Sequence, residues 1–176
     1  MGKYETNYEV PPVSRKNLRV FAKLLRDSFG IMTIIFPVIE FLEALDGFGV
    51  YYDIVDDAEW NQCFGVNEHA EYNLVTRTIS IKESVYNHAI AGYGRDRFTI
   101  AHEIAHALLL DDRELKVAKI RGKQAIPLFR NPEWQADCLA GELLMPYHKC
   151  KNMTVTEIAE TCQVSLDAAI CQKSKF

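Results

Sequence analysis

The stretch RFTIAHEIAHALLL, residues 97–110, carries the clearest chemistry in this sequence. It places His102 and His106 four positions apart, with Glu103 between them. On an α-helix, residues at this spacing have Cβ atoms roughly 5–6 Å apart, so both imidazoles can bind one zinc ion at about 2.0–2.1 Å. Glu103 would lie beside the metal without binding it, as a general base does. The spacing therefore predicts one zinc ion and a catalytic glutamate.

A third metal ligand must come from elsewhere, because a catalytic zinc usually has three protein ligands. By residue type the candidates are His69, His88, His148, the cysteines and the carboxylates. The stretch NPEWQADCLAGELLMP offers the best one, because Glu133 and Asp137 share one face of a predicted helix. Glu133 would reach the metal, and Asp137 would accept the N–H of a histidine that binds it. Alternatively, both are ordinary acids of a helix N-terminus, favoured there by the helix dipole.

The remaining sequence predicts an α+β domain in which a small sheet packs against helices. Helices are expected after Ser14, which is a possible N-cap, and at about 37–46. Short stretches rich in β-branched and aromatic residues predict three antiparallel strands, namely GVYYDIV, NQCFGVN and RTISIKES. The segment 154–176 predicts two short helices with a turn around Gln163. We therefore expect an extended arm at 1–13, an α+β domain that carries the metal-binding helices at 14–153 and a helical tail at 154–176.

Composition and charge exclude several classes of protein. The 176 residues have a formal net charge of −4, which disfavours direct nucleic-acid binding through bulk electrostatics. The five cysteines are odd in number and form no CxxC pair, as in a protein with reduced thiols. No leader-like apolar segment opens the sequence, and the most apolar run, at 31–45, is too short to cross a membrane. We expect a cytoplasmic protein without a membrane partner.

Two stretches, RDRFTIAHEIAHALL and EWQADCLAGELLMP, together resemble the ImmA/IrrE family of metallopeptidases. The family pattern has an RFTxAHExxH helix followed by a helix that ends in LLMP, and both motifs occur here in that order. The resemblance covers roughly residues 45–172. Leu139 stands where the pattern often has phenylalanine, and the end of the first helix, LLLDD, lacks a histidine that many members carry.

The resemblance implies a metallopeptidase domain of zincin-like fold at 14–153. It also implies a single zinc ion held by His102, His106 and Glu133, with Glu103 as the catalytic glutamate. Family members are typically encoded in mobile genetic elements or stress-response loci. Those studied cleave a helix-turn-helix transcriptional repressor and so release its target genes. The resemblance therefore implies a protein substrate of that kind.

Hydrolysis of a peptide bond develops negative charge on the carbonyl oxygen. The sequence leaves open which residue would stabilise this oxyanion. Tyr93, Arg95, Arg97 and His148 are candidates, and the first three could equally be surface or ion-pair residues. The strand RTISIKES is expected at the rim of the cleft, where an extended substrate would pair with it.

A rival reading is a non-catalytic zinc protein that binds a repressor, or DNA through its tail. Glu103 favours the enzyme, because a structural zinc site has no use for a free carboxylate beside the metal.

Overall fold

The computed structural model describes residues 8–110, 118–119 and 126–176. The strands in chain order are β1 (Tyr8–Glu9), β2 (Tyr51–Val55), β3 (Ala70–Asn73), β4 (Thr78–Lys82) and β5 (Ala118–Lys119). The α-helices are α1 (Arg15–Ser28), α2 (Val38–Ala44), α3 (Asp57–Cys63), α4 (Glu83–Ile90), α5 (Gly94–Leu110), α6 (Pro132–Leu144), α7 (Tyr147–Cys150), α8 (Val155–Cys162) and α9 (Leu166–Lys173). This combination confirms the predicted α+β class. The predicted arm at 1–13 and the connection after α5 lie partly outside the described residues.

The three-stranded sheet is mixed, with the strand order β2-β4-β3. Ile79 of β4 lies opposite Tyr52 in a parallel pairing and opposite Tyr72 in an antiparallel one. The prediction of an all-antiparallel sheet was therefore wrong. The intervening α3 and β3 supply the long crossover that a parallel pair requires. The prediction that β4 forms the rim of the cleft was also wrong, because β4 is the central strand and β3 is an edge.

The stretch NQCFGVN, residues 61–67, is not a strand. It covers the end of α3 and the turn that follows. Asp56 caps α3 by accepting a hydrogen bond from the backbone N–H of Ala58 at 2.8 Å. The buried indole of Trp60 donates to the carbonyl of Glu68 at 2.7 Å. This contact lies just before β3, which was not among the predicted strands.

Capping residues mark the predicted helix ends at both termini of the chain. Ser14 accepts a hydrogen bond from the backbone N–H of Asn17 at 3.2 Å and begins α1 as expected. Thr154 and Glu157 form a capping box at the start of α8, the first helix predicted in the segment 154–176. Gln163 then adopts a left-handed conformation, with φ of 54°, at the predicted turn before α9. Local side-chain chemistry thus fixes these boundaries.

Two helices differ from expectation. The helix predicted at 37–46 is α2 followed by a 3-10 turn at Leu45–Phe48, which ends at Gly49, with φ of 73°. Helix α4 was not predicted, because its sequence ESVYNHAI has strand-like residues. Burial of Val85 and Ala89, one turn apart, shows the helical face that stabilises it.

Helices α5 and α6 pack against each other at the centre of the core. Ile100 and Ile104 of α5 and Leu139 of α6 are fully buried, as are the small residues Ala136 and Ala140, which permit close approach. None of the helices within the described ranges is long and apolar enough to cross a membrane. The packing sets the facing sides of α5 and α6 at a fixed distance, and the candidate site lies between them.

Candidate metal centre

His102 and His106 lie one helical turn apart on α5, as their spacing predicted. Their Nε2 atoms are 3.0 Å apart, and the two rings meet edge to face at 77°. His106 is buried and His102 is partly buried. Both Nε2 atoms are therefore directed at one small volume beside the helix.

Glu133 reaches this volume from the first turn of α6. That turn is fixed by Asn131, which caps the helix by accepting from the backbone N–H of Trp134 at 3.0 Å. The Oε2 atom of Glu133 lies 3.3 Å from Nε2 of His102 and 3.4 Å from Nε2 of His106. The carboxylate thus bridges the two imidazoles.

The three side chains fit a metal ion. Each offers one ligand atom, and the three atoms lie within 4.8 Å of one another. Two imidazole nitrogens and one carboxylate oxygen are donors that zinc takes in catalytic sites, where a further position stays open. Two acceptor nitrogens at 3.0 Å repel each other unless a proton or a cation lies between them. The donor set therefore suits a divalent cation.

Asp137, one turn after Glu133, lies behind His102. Its Oδ1 atom is 3.0 Å from Nδ1 of His102. Because Nε2 of that ring faces the cluster, Nδ1–H is the group that donates to the carboxylate. A contact of this kind fixes the tautomer and the orientation of a metal-binding imidazole.

Glu103 lies next to the cluster and is held by the sheet. Its Oε2 atom accepts a hydrogen bond from the backbone N–H of Tyr72, on β3, at 2.8 Å. With His102 and Asp137 it lines a cavity of about 250 Å³. Burial raises the pKa of Glu103, although the nearby imidazoles oppose that shift. The side chain is thus a carboxylate of raised basicity beside the three converging atoms.

The imidazoles of α5 and the carboxylates of α6 shift one another's pKa values at the cluster. Burial alone would lower the pKa of His102, but its hydrogen bonds with Asp137 and Glu133 outweigh that effect and raise the pKa to about 10. The hydrogen bonds that Glu133 accepts from His102 and His106 hold its pKa well below the usual range. In the absence of a metal, a proton therefore supplies the positive charge that this group of acids and imidazoles favours.

The residues of the cluster and its two neighbouring acids lie in a segment, 75–170, that matches the IrrE N-terminal-like domain of the M78 peptidases. They are His102, Glu103, His106, Glu133 and Asp137. The match covers more than half of the chain. The protein belongs to the M78 peptidase family. The resemblance predicted from the two helical motifs is thereby confirmed, and membership implies a peptidase with a bound metal. No match is found among curated proteins.

Two of the four residues considered for oxyanion stabilisation in this M78 peptidase, Arg97 and Tyr93, make their contacts outside the cluster. Arg97 is only 6% exposed, and its guanidinium donates to the carbonyls of Gln163 at 3.1 Å and Phe36 at 2.8 Å. The Tyr93 side chain is 60% exposed and packs on His88, with ring centroids 5.0 Å apart. These contacts give Arg97 a structural task and leave Tyr93 at the surface.

The other two candidates, His148 and Arg95, differ in their relation to the cleft. His148 lines a separate cavity together with Arg19 and Tyr147. The guanidinium of Arg95 lies 2.8 Å from Nε2 of His69, and that imidazole lines the cavity of Glu103. Of the four residues considered, Arg95 is the one that the structure connects to the cleft.

Tyr8 is a residue near the site that the sequence analysis did not consider. Strand β1 pairs with β5, and the backbone N–H of Val10 donates to the carbonyl of Arg130 at 3.0 Å, just before α6. Burial raises the pKa of the Tyr8 phenol, and the negative charges of Glu133 and Glu103 raise it further. The N-terminal strand therefore brings a phenol into the electrostatic field of both carboxylates.

Proposed function

We propose that this M78 peptidase is a zinc enzyme of zincin-like fold that hydrolyses a peptide bond in a partner protein. His102, His106 and Glu133 would hold the single zinc ion, Asp137 would orient His102, and Glu103 would act as the catalytic base. The observation that carries the proposal is the convergence of the three donor atoms within 4.8 Å, with Glu103 held next to them.

The mechanism depends on the arrangement of Glu103. When bound, zinc polarises the scissile carbonyl and lowers the pKa of a water molecule toward 7. The backbone N–H of Tyr72 holds Oε2 of Glu103. This contact leaves Oε1 to take a proton from the attacking water and to deliver it to the nitrogen of the leaving amine. Because burial raises the pKa of Glu103, its carboxylate is a stronger base than one in water.

The substrate would bind as an extended chain along β3 rather than β4. The backbone N–H of Tyr72 points away from β4, toward Glu103. Because backbone groups alternate along a strand, those of Ala70 also point outward. Ala70 lines the same cavity as His102 and Glu103. A peptide paired with this edge would pass its backbone beside the metal-binding residues.

The proposed substrate is a helix-turn-helix transcriptional repressor of a mobile element or stress locus, cleaved in the cytoplasm. This step is supported by the resemblance of both helical motifs to a family whose studied members cleave such repressors. Pairing with a strand edge reads backbone more than side chains and suits an exposed, flexible segment of a folded partner.

The test uses the zinc-loaded protein and the helix-turn-helix repressor encoded nearest to its gene. The Glu103→Gln variant removes the base while keeping the size of the side chain. Glu160→Gln makes the same change at an exposed position on α8. We expect a discrete repressor fragment from the wild-type protein and from Glu160→Gln, and a rate at least about a hundredfold lower from Glu103→Gln.

Zinc content is measured in all three proteins, so that loss of metal is not mistaken for loss of the base. Equal cleavage by Glu103→Gln with full zinc would overturn the role of Glu103. If all three proteins bind the repressor and none cuts it, under every condition that releases the target genes in cells, the metal serves a non-catalytic regulator.

A further inference from the structure

A second cavity lies beside the metal centre, between α1, α5, α6 and α9. Its volume is about 600 Å³, within the range of sites that take small organic ligands. Phe98, Leu128, Trp134 and Met145 supply large apolar surface to its wall. None of the three proposed metal ligands lines it, whereas Asp137 does. The cavity thus contains none of the proposed metal ligands, but it adjoins the cleft, because Phe98, Thr99 and Asp137 line both.

A buried amide in this cavity lacks a hydrogen-bond partner. Gln172, on α9, is only 5% exposed. Its Oε1 accepts a long hydrogen bond from Arg15 at 3.4 Å, whereas its Nε2 has no partner within the described parts of the chain. Gly141 makes room for this amide, since a Cβ there would lie 2.7 Å from Gln172 Oε1. A buried donor without an acceptor is costly. Because the contact of this amide with Arg15 is long, a turn of the amide toward the cavity would let an acceptor on a ligand satisfy it.

The charges around the cavity favour an anion. Arg15, Arg95 and Lys175 line it, against Asp137 and Asp167. The carboxylate of Asp137 is already engaged by His102 at 3.0 Å.

The positive charge of Arg15 is only partly compensated by its neighbours. Arg15 lies 3.8 Å from the buried carboxylate of Glu142, but Arg19 already binds that group through two hydrogen bonds of 3.0 Å. An anionic ligand would therefore meet a guanidinium whose charge is only partly compensated, next to the free amide N–H of Gln172.

We propose that this cavity binds a small amphipathic anion. Its aromatic or branched apolar body would pack against Phe98 and Trp134, and its carboxylate or sulfonate would accept from Gln172 Nε2 and Arg15. Because Asp137 forms part of the wall, the ligand would lie against the group that orients His102. The binding itself requires no metal and no peptidase activity.

The experiment uses two fluorescent probes that differ in charge. The anion 8-anilinonaphthalene-1-sulfonate and the neutral N-phenyl-1-naphthylamine are titrated into the full-length protein, both zinc-loaded and after chelation. We expect saturable binding of the anion at one site in both forms. Gln172→Leu should weaken the anion about threefold to tenfold and leave the neutral probe unchanged, because it removes the donor and keeps the apolar surface.

Filling the cavity provides the second arm. Ala168→Phe places a ring at a lining position of α9, and Cys171→Phe does so at a more exposed one, in case the first variant fails to fold. Ile170→Phe, at an exposed position of the same helix outside the lining, is the matched control. Either lining variant should weaken both probes at least tenfold, and the control should not. Absence of saturable binding, or binding that a folded lining variant leaves intact, would overturn the proposal.

Discussion

The two ring nitrogens of His102 make different contacts, and Asp137 determines which nitrogen faces the cluster. Nδ1 lies 3.0 Å from Asp137, which leaves Nε2 for the cluster with His106 and Glu133. A neutral side chain at position 137 would weaken the preference for this tautomer and remove a charge near the metal. We therefore predict that Asp137→Asn lowers the affinity for zinc by roughly 10–100-fold while the protein stays folded.

Zinc affinity is measured by competition with a chelator, and the fold is checked by circular dichroism. Asp53→Asn makes the same change at an exposed position of β2 and should keep the wild-type affinity. An unchanged affinity in Asp137→Asn would show that the aspartate does not orient the imidazole.

At the scale of single residues, spacing carried most of the information that the sequence held. The separation of His102 and His106, and that of Glu133 and Asp137, reflects neighbours on one helix, which a sequence displays directly. Tyr8 belongs to another case. It approaches the site through pairing of distant strands, and no local pattern records such a contact.

At the scale of elements, the start of α5 depends on close contact with the turn before α9. A Cβ on Gly94 would lie 2.3 Å from the carbonyl carbon of Val164 and 2.5 Å from the nitrogen of Ser165. Because these are backbone atoms, the turn would have to move. We predict that Gly94→Ala lowers the free energy of unfolding by about 1–3 kcal/mol.

Urea denaturation measures this loss in the metal-free protein, where no ligand masks it. Gly47→Ala is the control, since a Cβ there meets nothing within 4 Å. It should change the free energy of unfolding by no more than about 0.5 kcal/mol. Equal effects of the two variants would show that the contact of α5 with the tail does not limit stability.

The outer edge of β3 gives a prediction for substrate binding. Ala70 is inferred to direct its N–H away from β4 and into the cleft, so proline there removes an outward donor without breaking a ladder bond. We predict that Ala70→Pro raises KM for the repressor about threefold to tenfold, as expected for one lost hydrogen bond, with zinc content unchanged.

Glu71→Pro provides the contrast one residue along the strand. Its N–H is inferred to face Ser80 across the ladder, so this variant should unfold more readily. A normal KM in a folded Ala70→Pro protein would exclude pairing of the substrate with β3.

How far the elements could be predicted depended on where their determinants lie. The ends of α1 and α8 follow from capping side chains within a few residues, and these ends were correct. The sheet order depends on contacts between segments far apart, and there the prediction was wrong. Residues 70–73 are polar enough to look like a turn, yet pairing with β4 makes them the edge strand next to Glu103.

At the scale of the whole molecule, the candidate metal centre links folding to pH. Hydrogen bonds with Asp137 and Glu133 overcome burial and raise the pKa of His102 to about 10 in the metal-free protein. The unfolded value is near 6.5. Protonated His102 therefore stabilises the metal-free fold fully below about pH 6.5, and this contribution is lost as the pH rises through about 10.

If the cluster holds zinc as proposed, the ion would displace that proton, so protons and metal would compete for the same nitrogen. We predict that zinc affinity rises by up to about tenfold per pH unit between pH 6 and 8, since His102 stays protonated in the metal-free protein across this range. Chelator competition at several pH values measures the slope, and the increase of Tm on adding zinc should grow in parallel. Asp137→Asn replaces a charged acceptor of His102 by a weaker, neutral one and lowers this pKa, so its slope should flatten toward pH 8. A wild-type affinity that does not change with pH would mean that His102 is already neutral, and that the acids of α6 do not hold a proton in place of the metal.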